Sequence, residues 1–180
     1  MLAKKPTVQV QPDTYQVSSE NLLSLKRVGL LSDIKDNELA LAALIRLIRE
    51  VHFKPEHNII VEGAEGAEMF ILVSGTASVF KSTLGGEPYK VAILKSETSP
   101  AFGEGGLIGS DKRGATIRAD VACQCLQINR DDFEKFAGEF PAWALPIYRR
   151  IAQSVMLRLR QTNEDMLLLY NALVAEIRGA

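Results

Sequence analysis

Short apolar stretches with strand-like alternation fill the middle of the chain, and turns rich in glycine separate them. They are Glu50–Lys54, Ile59–Val61, Met69–Val73, Thr76–Lys81, Tyr89–Leu94, Ala115–Ala119 and Ala122–Ile128. Strands this short, with turn signals at this spacing, are typical of an antiparallel barrel or a double-sheet jelly roll. The sequence therefore predicts a mainly β fold in which helices flank a jelly-roll-like antiparallel β-roll.

Helical patterns lie before these strands. Leucines between Leu22 and Leu31 indicate a first helical stretch broken near Gly29, and a second helix is predicted through Asn37–Arg49. Asp33 or Asp36 is the predicted N-cap of this second helix. Its apolar stripe, which we assign to core packing, consists of Leu39, Ala42, Ala43, Leu44, Leu47 and Ile48.

One long helix is predicted after Pro141, with Pro146 either tolerated in its opening turn or marking a kink. Apolar residues then recur three or four positions apart, with Thr162 in the gap of the series Ile151, Val155, Leu159, Met166, Leu169, Leu173 and Ile177. Such a seam favours pairing with a second copy in a homodimer, and docking on the chain's own roll is the alternative. The predicted organisation is an arm at 1–18, the roll with its N-terminal helices at 19–140, and the long helix at 141–180.

Composition narrows the possible functions. The 21 basic and 22 acidic side chains give a net charge of −1, which argues against coating nucleic acid or an anionic membrane by bulk charge. No apolar run reaches the roughly 20 residues that span a bilayer. The N-terminus has lysines but no apolar run after them, unlike a signal peptide. We therefore expect a soluble cytoplasmic protein.

Two cysteines, Cys123 and Cys125, share one predicted strand. Alternation directs both side chains to one face, where neighbours along a strand are poorly placed for a disulfide. Only His52 and His57 supply imidazoles, so neither a metal centre nor a cofactor is predicted, and the cysteines are interpreted as packing residues.

The segment Phe102–Thr116 carries the functional signal. It contains the five glycines Gly103, Gly105, Gly106, Gly109 and Gly114. Glycine lets the backbone approach a ligand closely, and successive N–H groups form anion sites. Arg113 offers a fork to phosphate oxygens, whereas Glu104 requires hydroxyl donors from the same ligand. A phosphate beside a sugar hydroxyl describes a nucleotide.

These residues resemble the phosphate-binding cassette of the cyclic nucleotide-binding domain family, in its FGE…R-x-A-T pattern. The resemblance implies that Glu104 binds the ribose 2′-hydroxyl and Arg113 the cyclic phosphate. Backbone amides would come from Gly103, Gly106, Gly114 and Ala115. Gly105, also placed in the site, replaces the bulkier apolar residue usual in the family. The resemblance extends from about Leu30 to Leu173 and implies the same β-roll and a dimer through the last helix.

The resemblance also bears on the base. The segment Arg158–Glu164 resembles one that contacts the adenine amino group, which places Thr162 and Asn163 at the base edge; a role in helix register is the alternative. The family uses Thr or Ser after the cassette arginine for guanine, and Gly114 stands there. We therefore expect cAMP to be favoured over cGMP.

The expected function is a non-enzymatic cyclic nucleotide sensor without a catalytic domain of its own. A helix-turn-helix is not expected after the long helix, so direct DNA binding is disfavoured and the output would pass to an unknown effector protein. The alternatives are a degenerate roll acting as a protein-interaction scaffold, and a transcription regulator whose DNA-binding part is absent. A cupin-like enzyme would need a histidine and carboxylate cluster that the sequence does not offer.

Overall fold

Eight strands form two four-stranded antiparallel sheets. The computed structural model of the protein describes residues 19–83, 85–109 and 112–179, so the predicted arm at 1–18 lies outside the described residues. The strands are β1 (Ile48–Phe53), β2 (Asn58–Ile60), β3 (Glu68–Ser74), β4 (Thr76–Ser82), β5 (Pro88–Lys95), β6 (Ala101–Phe102), β7 (Thr116–Ala119) and β8 (Cys123–Asn129). The strand order is β1-β8-β3-β6 in one sheet and β2-β7-β4-β5 in the other. The predicted double-sheet roll is confirmed.

The helices lie at both ends of the roll and within the cassette. They are α1 (Ser19–Arg27), α2 (Glu38–Ile45), α3 (Gly105–Ile108), α4 (Arg130–Glu139) and α5 (Pro141–Gly179), with 3₁₀ turns at Gly29–Leu31 and Ser96–Thr98. The predicted break near Gly29 is therefore present. The two-residue strand β6, which the sequence pattern did not predict, leads directly into the cassette.

Side chains of β3 pack into two different cores. Phe70 and Leu72 enter the core between the two sheets, whereas Met69 and Ile71 enter a second core beneath the helices. Successive strand residues point to opposite faces, so a sheet covered on both sides must be apolar at every position. This explains why the Met69–Val73 stretch is continuously apolar, and it places the helices against the outer face of the first sheet.

The second helix is shorter than the predicted Asn37–Arg49. It ends at Ile45, and Ile48 already pairs with Ile128 in the ladder between β1 and β8. Ile48 is buried by this pairing rather than by a helical stripe, while Leu39 is exposed. Sheet pairing overrides the local helical pattern because the ladder satisfies the backbone and buries the same side chains.

The predicted cap of α2 is also wrong. Asn37, and neither of the two aspartates, accepts a hydrogen bond from the backbone N–H of Ala40 at 3.0 Å. Asp33 instead forms a bidentate ion pair with Arg150 of α5, with N–O distances of 2.6 and 2.9 Å. This pair joins the N-terminal helical segment to the last helix.

The long helix α5 is confirmed, with Pro146 inside its first two turns. Ala144, Ile147 and Ile151 are buried against the roll and its helices. From residue 152 to residue 178 no residue is buried. The distal part of α5 therefore extends beyond the packed body with its apolar side chains exposed.

Cys123 and Cys125 are free thiols buried in the core between the sheets, as predicted for packing residues. Burial raises the pKa of both thiols, so they remain protonated at neutral pH. Among the described residues no group of three or more histidine, cysteine or acidic side chains is placed to bind a metal ion. Within the same residues, no helix has the length and apolarity that crossing a bilayer requires.

Candidate nucleotide-binding site

The cassette is a short loop wrapped around one turn of helix. Gly103 has φ +73°, a conformation that favours glycine, and the chain then enters α3. The N–H groups of Gly106 and Gly109 donate to the carbonyl oxygens of Gly103 and Gly105, and these bonds close the turn. Leu107 is buried in the helical core and anchors the loop. This one-turn helix at Gly105–Ile108 lies at the centre of the cassette.

Arg113 lies underneath this loop, with only 8% of its side chain exposed. Its Nη1 donates to the carbonyl oxygen of Gly103 at 3.0 Å, and its Nη2 donates to the carbonyl oxygen of Glu68 at 2.7 Å. Nη2 also pairs with the Glu68 carboxylate at 3.0 Å. A guanidinium carries five N–H donors, and in the described part of the chain these contacts engage three. The remaining two make no hydrogen bond to another described residue.

Three glycines make room for the Arg113 side chain. A Cβ atom at Gly66 would lie 2.4 Å from Arg113 Nε, and one at Gly106 would lie 2.8 Å from Nη1. At Gly103 the corresponding distance is 2.9 Å. These glycines are therefore required by close approach of the guanidinium as well as by loop conformation.

The environment of Arg113 is electrostatically mixed. Burial lowers the pKa of the Arg113 guanidinium from its usual value, and the Glu68 carboxylate opposes that change. An arginine stays charged despite such a shift because its ordinary pKa is far above neutrality. The result is a buried cation, held in place by Glu68 and by two carbonyl oxygens, beside the glycine-rich backbone.

Glu104 is buried, and it faces α5. One oxygen of its carboxylate lies 2.5 Å from Nη2 of Arg158, as an ion pair without hydrogen-bond alignment. The Arg158 side chain is 63% exposed, so a residue on the surface of α5 reaches inward to a carboxylate of the cassette. This contact links the cassette directly to the last helix.

A cavity of about 370 Å³ opens beside Glu104. The 3₁₀ turn at Gly29–Leu31, the turn before β6 and the inner face of α5 form its walls. Ser99, at 2% exposure, turns into this region with a hydroxyl that has no hydrogen-bond partner among the described residues. The cavity therefore lies between Glu104 of the cassette and the proximal part of α5.

Arg130, the first residue of α4, holds the other end of the cassette helix. Its Nε donates to the carbonyl oxygen of Gly106 at 2.7 Å, and its Nη2 donates to that of Gly109. These are terminal carbonyls of α3, which lack partners within the helix. Arg113 and Arg130 thus fasten the two ends of the cassette to the body of the protein.

The structure brings together only part of the predicted site. Gly103 and Gly106 lie against the Arg113 guanidinium, and Glu104 and Gly105 lie between them in the loop. Gly114 and Ala115 follow Arg113 and lead into β7. Thr162 and Asn163 are exposed on α5, about one turn beyond Arg158. Within the described residues neither of these two side chains makes a hydrogen bond to the cassette. Their predicted contact with a base remains a prediction.

Sequence reasoning missed four residues of the site. Glu68 and Gly66 are distant from the cassette in sequence and reach it through the fold, as does Arg130. Arg158 belongs to the segment that resembled a base-contacting region, yet its pairing with Glu104 had no local signal. Two of these residues are arginines that bind carbonyl or carboxylate oxygens, a role for which the fork geometry of arginine is suited.

Comparison with known proteins identifies the family. The sequence model of the cyclic nucleotide-binding domain family matches residues 50–139. This match covers half of the chain and includes the whole cassette. The chain belongs to the cyclic nucleotide-binding domain family. This domain extends from β1 to the end of α4, so it contains both arginines that hold the cassette.

Solved structures of similar fold include bacterial and protozoan proteins. The N-terminal domain of a transcriptional regulator from Streptomyces coelicolor is 23% identical, with a TM-score of 0.63, covering 79% of this chain and 94% of that one. The catabolite activator protein of Thermus thermophilus is 23% identical, with a TM-score of 0.67, covering 78% and 62%. The regulatory domain of protein kinase A from Toxoplasma gondii, solved with cAMP, is 25% identical, with a TM-score of 0.58, covering 68% and 46%.

Proposed function

We propose that this cyclic nucleotide-binding domain is a sensor that binds cAMP and passes its ligand state to a partner through α5. Domains of this family are regulatory rather than catalytic, which fits a non-enzymatic role. The observation that carries the proposal is the buried Arg113, fixed under a glycine-rich loop with donors left for an anion.

The ligand contacts follow from the charges of the cassette. Arg113 would bind the cyclic phosphate, together with backbone N–H groups of Gly103, Gly114 and Ala115. The N–H of Gly106 would join them by exchanging its bond to the Gly103 carbonyl oxygen for one to the phosphate. Glu104 would accept the ribose 2′-hydroxyl, because its carboxylate is an acceptor and would repel the phosphate. The absence of a side chain at Gly114 favours cAMP over cGMP, since the base would find no hydroxyl there.

Coupling to α5 would pass through Glu104. The ribose hydroxyl and Arg158 approach the same carboxylate, so binding would alter the ion pair that joins the cassette to the helix. The cavity beside Glu104 would give the proximal part of α5 space to shift. A ligand biases such an equilibrium only through a difference in affinity for the two helix positions.

The surface that passes the signal to a partner would be formed by α5. Its exposed apolar seam supports a homodimer, in which Thr162 and Asn163 would approach the base edge. An effector protein would then read the position of the helices.

The test is calorimetric titration of cAMP and cGMP into the wild-type chain and the Arg113→Ala variant. Removing a charged partner of a buried phosphate should cost about 2–5 kcal/mol, or more than tenfold in affinity. Arg113→Lys should also bind weakly, since an ammonium keeps the charge but not the fork. Tighter binding of cAMP than of cGMP by the wild-type chain would support the base preference.

Arg118→Ala is the matched control. Arg118 lies on the neighbouring strand β7 and packs over the Phe80 ring at 4.6 Å. Among the described residues the Arg118 side chain contacts Glu56 and Phe80 and not the cassette, so this variant removes the same charge and should bind cAMP as the wild type does. Wild-type protein that binds neither nucleotide would contradict the sensor proposal and favour a scaffold.

A second candidate is the sensing part of a transcription regulator. The similarity to the N-terminal domain of a transcriptional regulator from Streptomyces coelicolor favours it. An electrophoretic mobility shift of promoter DNA by the protein in the presence of cAMP would support this candidate. Binding of cAMP without formation of a DNA complex would favour an effector protein as the partner.

A further inference from the structure

A bulge in β5 changes which face of the sheet its side chains occupy. Val79 of β4 pairs with Ala92, but the next residue, Phe80, pairs with Lys90, so Val91 has no partner. An extra residue of this kind shifts the alternation of the strand that contains it. Beyond the bulge, Tyr89 is therefore opposite Lys81.

This pairing places Tyr89 on the inner face of the roll. Ala77 is buried in the core between the sheets, and Val79 packs against that core, so Lys81 continues the same row along β4. Tyr89 pairs with Lys81 and shares its face. The outer face carries Phe80, which is covered by Lys90 at 5.6 Å and by Arg118.

The register also fixes how far Tyr89 is from the cassette. Thr116 of β7 pairs with Phe80, so the preceding residue, Ala115, is level with Lys81 and hence with Tyr89. Two strand spacings separate Ala115 from Tyr89, which is roughly 10 Å. Arg113 is two residues before Ala115. An anion on Arg113 would thus leave Tyr89 within reach of the base of the same nucleotide.

Tyr89 has no structural role of its own in the described part of the chain. It is 65% exposed, and its ring joins none of the aromatic pairs or hydrogen bonds among the described residues. An exposed planar ring on an edge strand, level with Ala115, is a surface on which a purine can stack.

We propose that Tyr89 stacks on the face of the base bound at the cassette and favours purine over pyrimidine cyclic nucleotides. The proposal rests on the proposed function and adds a specificity residue to it. Tyr89 contacts the face of the base by stacking, whereas residues of α5 would contact its edge. Stacking depends on ring area, so a cyclic pyrimidine nucleotide gains less from Tyr89 than cAMP does.

The experiment compares affinities for cAMP and cCMP in the wild type and in Tyr89→Ala, Tyr89→Leu and Tyr89→Phe variants. Base–aromatic stacking implies that Tyr89→Ala weakens cAMP binding by about 5- to 150-fold and cCMP binding by less. Tyr89→Phe keeps the ring and should stay within about twofold of the wild type. Tyr89→Leu keeps apolar bulk without a ring and should behave like alanine.

Ile93→Ala is the matched control, because Ile93 is exposed on the same strand but pairs with Ser78 on the outer face. It should leave both affinities unchanged. Tyr89→Ala protein that binds cAMP as tightly as the wild type would overturn the stacking role and leave the sensor proposal standing. Wild-type protein that binds no cyclic nucleotide would overturn both.

Discussion

Gly66 lies beside Arg113 and Gly105 lies in the cassette, and the space around these two glycines differs. A Cβ atom at Gly66 would meet the Arg113 guanidinium at 2.4 Å, whereas one at Gly105 would meet nothing within 4 Å. Neither residue has the positive φ that would itself disfavour a side chain. The site therefore depends on whether the Arg113 guanidinium keeps its position. A side chain at Gly66 would disturb that position and one at Gly105 would not, so substitutions at the two glycines can be compared directly.

We predict that Gly66→Ala displaces the guanidinium and that Gly105→Ala does not. Overpacking of this kind costs about 1–3 kcal/mol of stability, and loss of the aligned fork should weaken cAMP binding about tenfold or more. Gly105→Ala should bind within about twofold of the wild type. Calorimetry and thermal unfolding of the two variants test this, and equal affinities would mean that Arg113 adjusts without loss.

At the scale of elements, α5 combines a buried start with an exposed end. Ile151 is completely buried. The apolar residues of the seam from Val155 to Ile177 are 46–72% exposed. A helix with exposed apolar residues at this spacing is stabilised by pairing, because burial of each large side chain contributes about 1.5–3 kcal/mol. In a symmetric dimer every such residue is buried twice.

We predict that Met166→Lys or Leu173→Lys converts a dimer to a monomer. Each substitution affects both copies, so the dissociation constant should rise at least about 100-fold. Light scattering after size-exclusion chromatography measures the mass. Gln161→Lys adds the same charge outside the seam and should remain dimeric. A wild-type monomer at high protein concentration would contradict the pairing.

At the scale of the whole molecule, ion pairs join the N-terminal helical segment to the proximal part of α5. Asp33 follows the first helical segment and binds Arg150 and Arg149 of α5, more than a hundred residues later in the chain. The hydrogen bond from Arg150 lowers the pKa of Asp33 below its ordinary value of 3.8. The folded chain therefore binds this proton less readily than the unfolded chain does.

We predict a pH-dependent effect of Asp33→Asn. A lowered pKa makes the stabilisation fully present above pH 3.8, and it is lost as the pH falls through the folded-state pKa. The variant should unfold about 1–3 °C lower than the wild type at pH 7, and this gap should narrow below pH 3.8. Asp36→Asn, which removes a charge without an ion pair in the described residues, should show no gap. A gap independent of pH would contradict the assignment.

Local sequence patterns predicted the roll, its turns and the cassette. Alternation in stretches such as Glu50–Lys54 reflects a strand with one face buried, and the glycines mark places where the backbone must turn or pack closely. These are properties of neighbouring residues, which is why they can be read without the fold. The same is true of the seam on α5, since helical periodicity depends only on spacing.

Contacts between distant segments were decided by the tertiary structure alone. The pairs Glu68–Arg113, Glu104–Arg158 and Asp33–Arg150 each join residues at least 45 positions apart, and no local pattern distinguishes these charges from solvated ones. The early end of α2 and the inward face of Tyr89 likewise depend on partners in other strands. Periodicity records which face of an element is apolar, whereas the partner that a charge or a ring meets is fixed only when the elements pack.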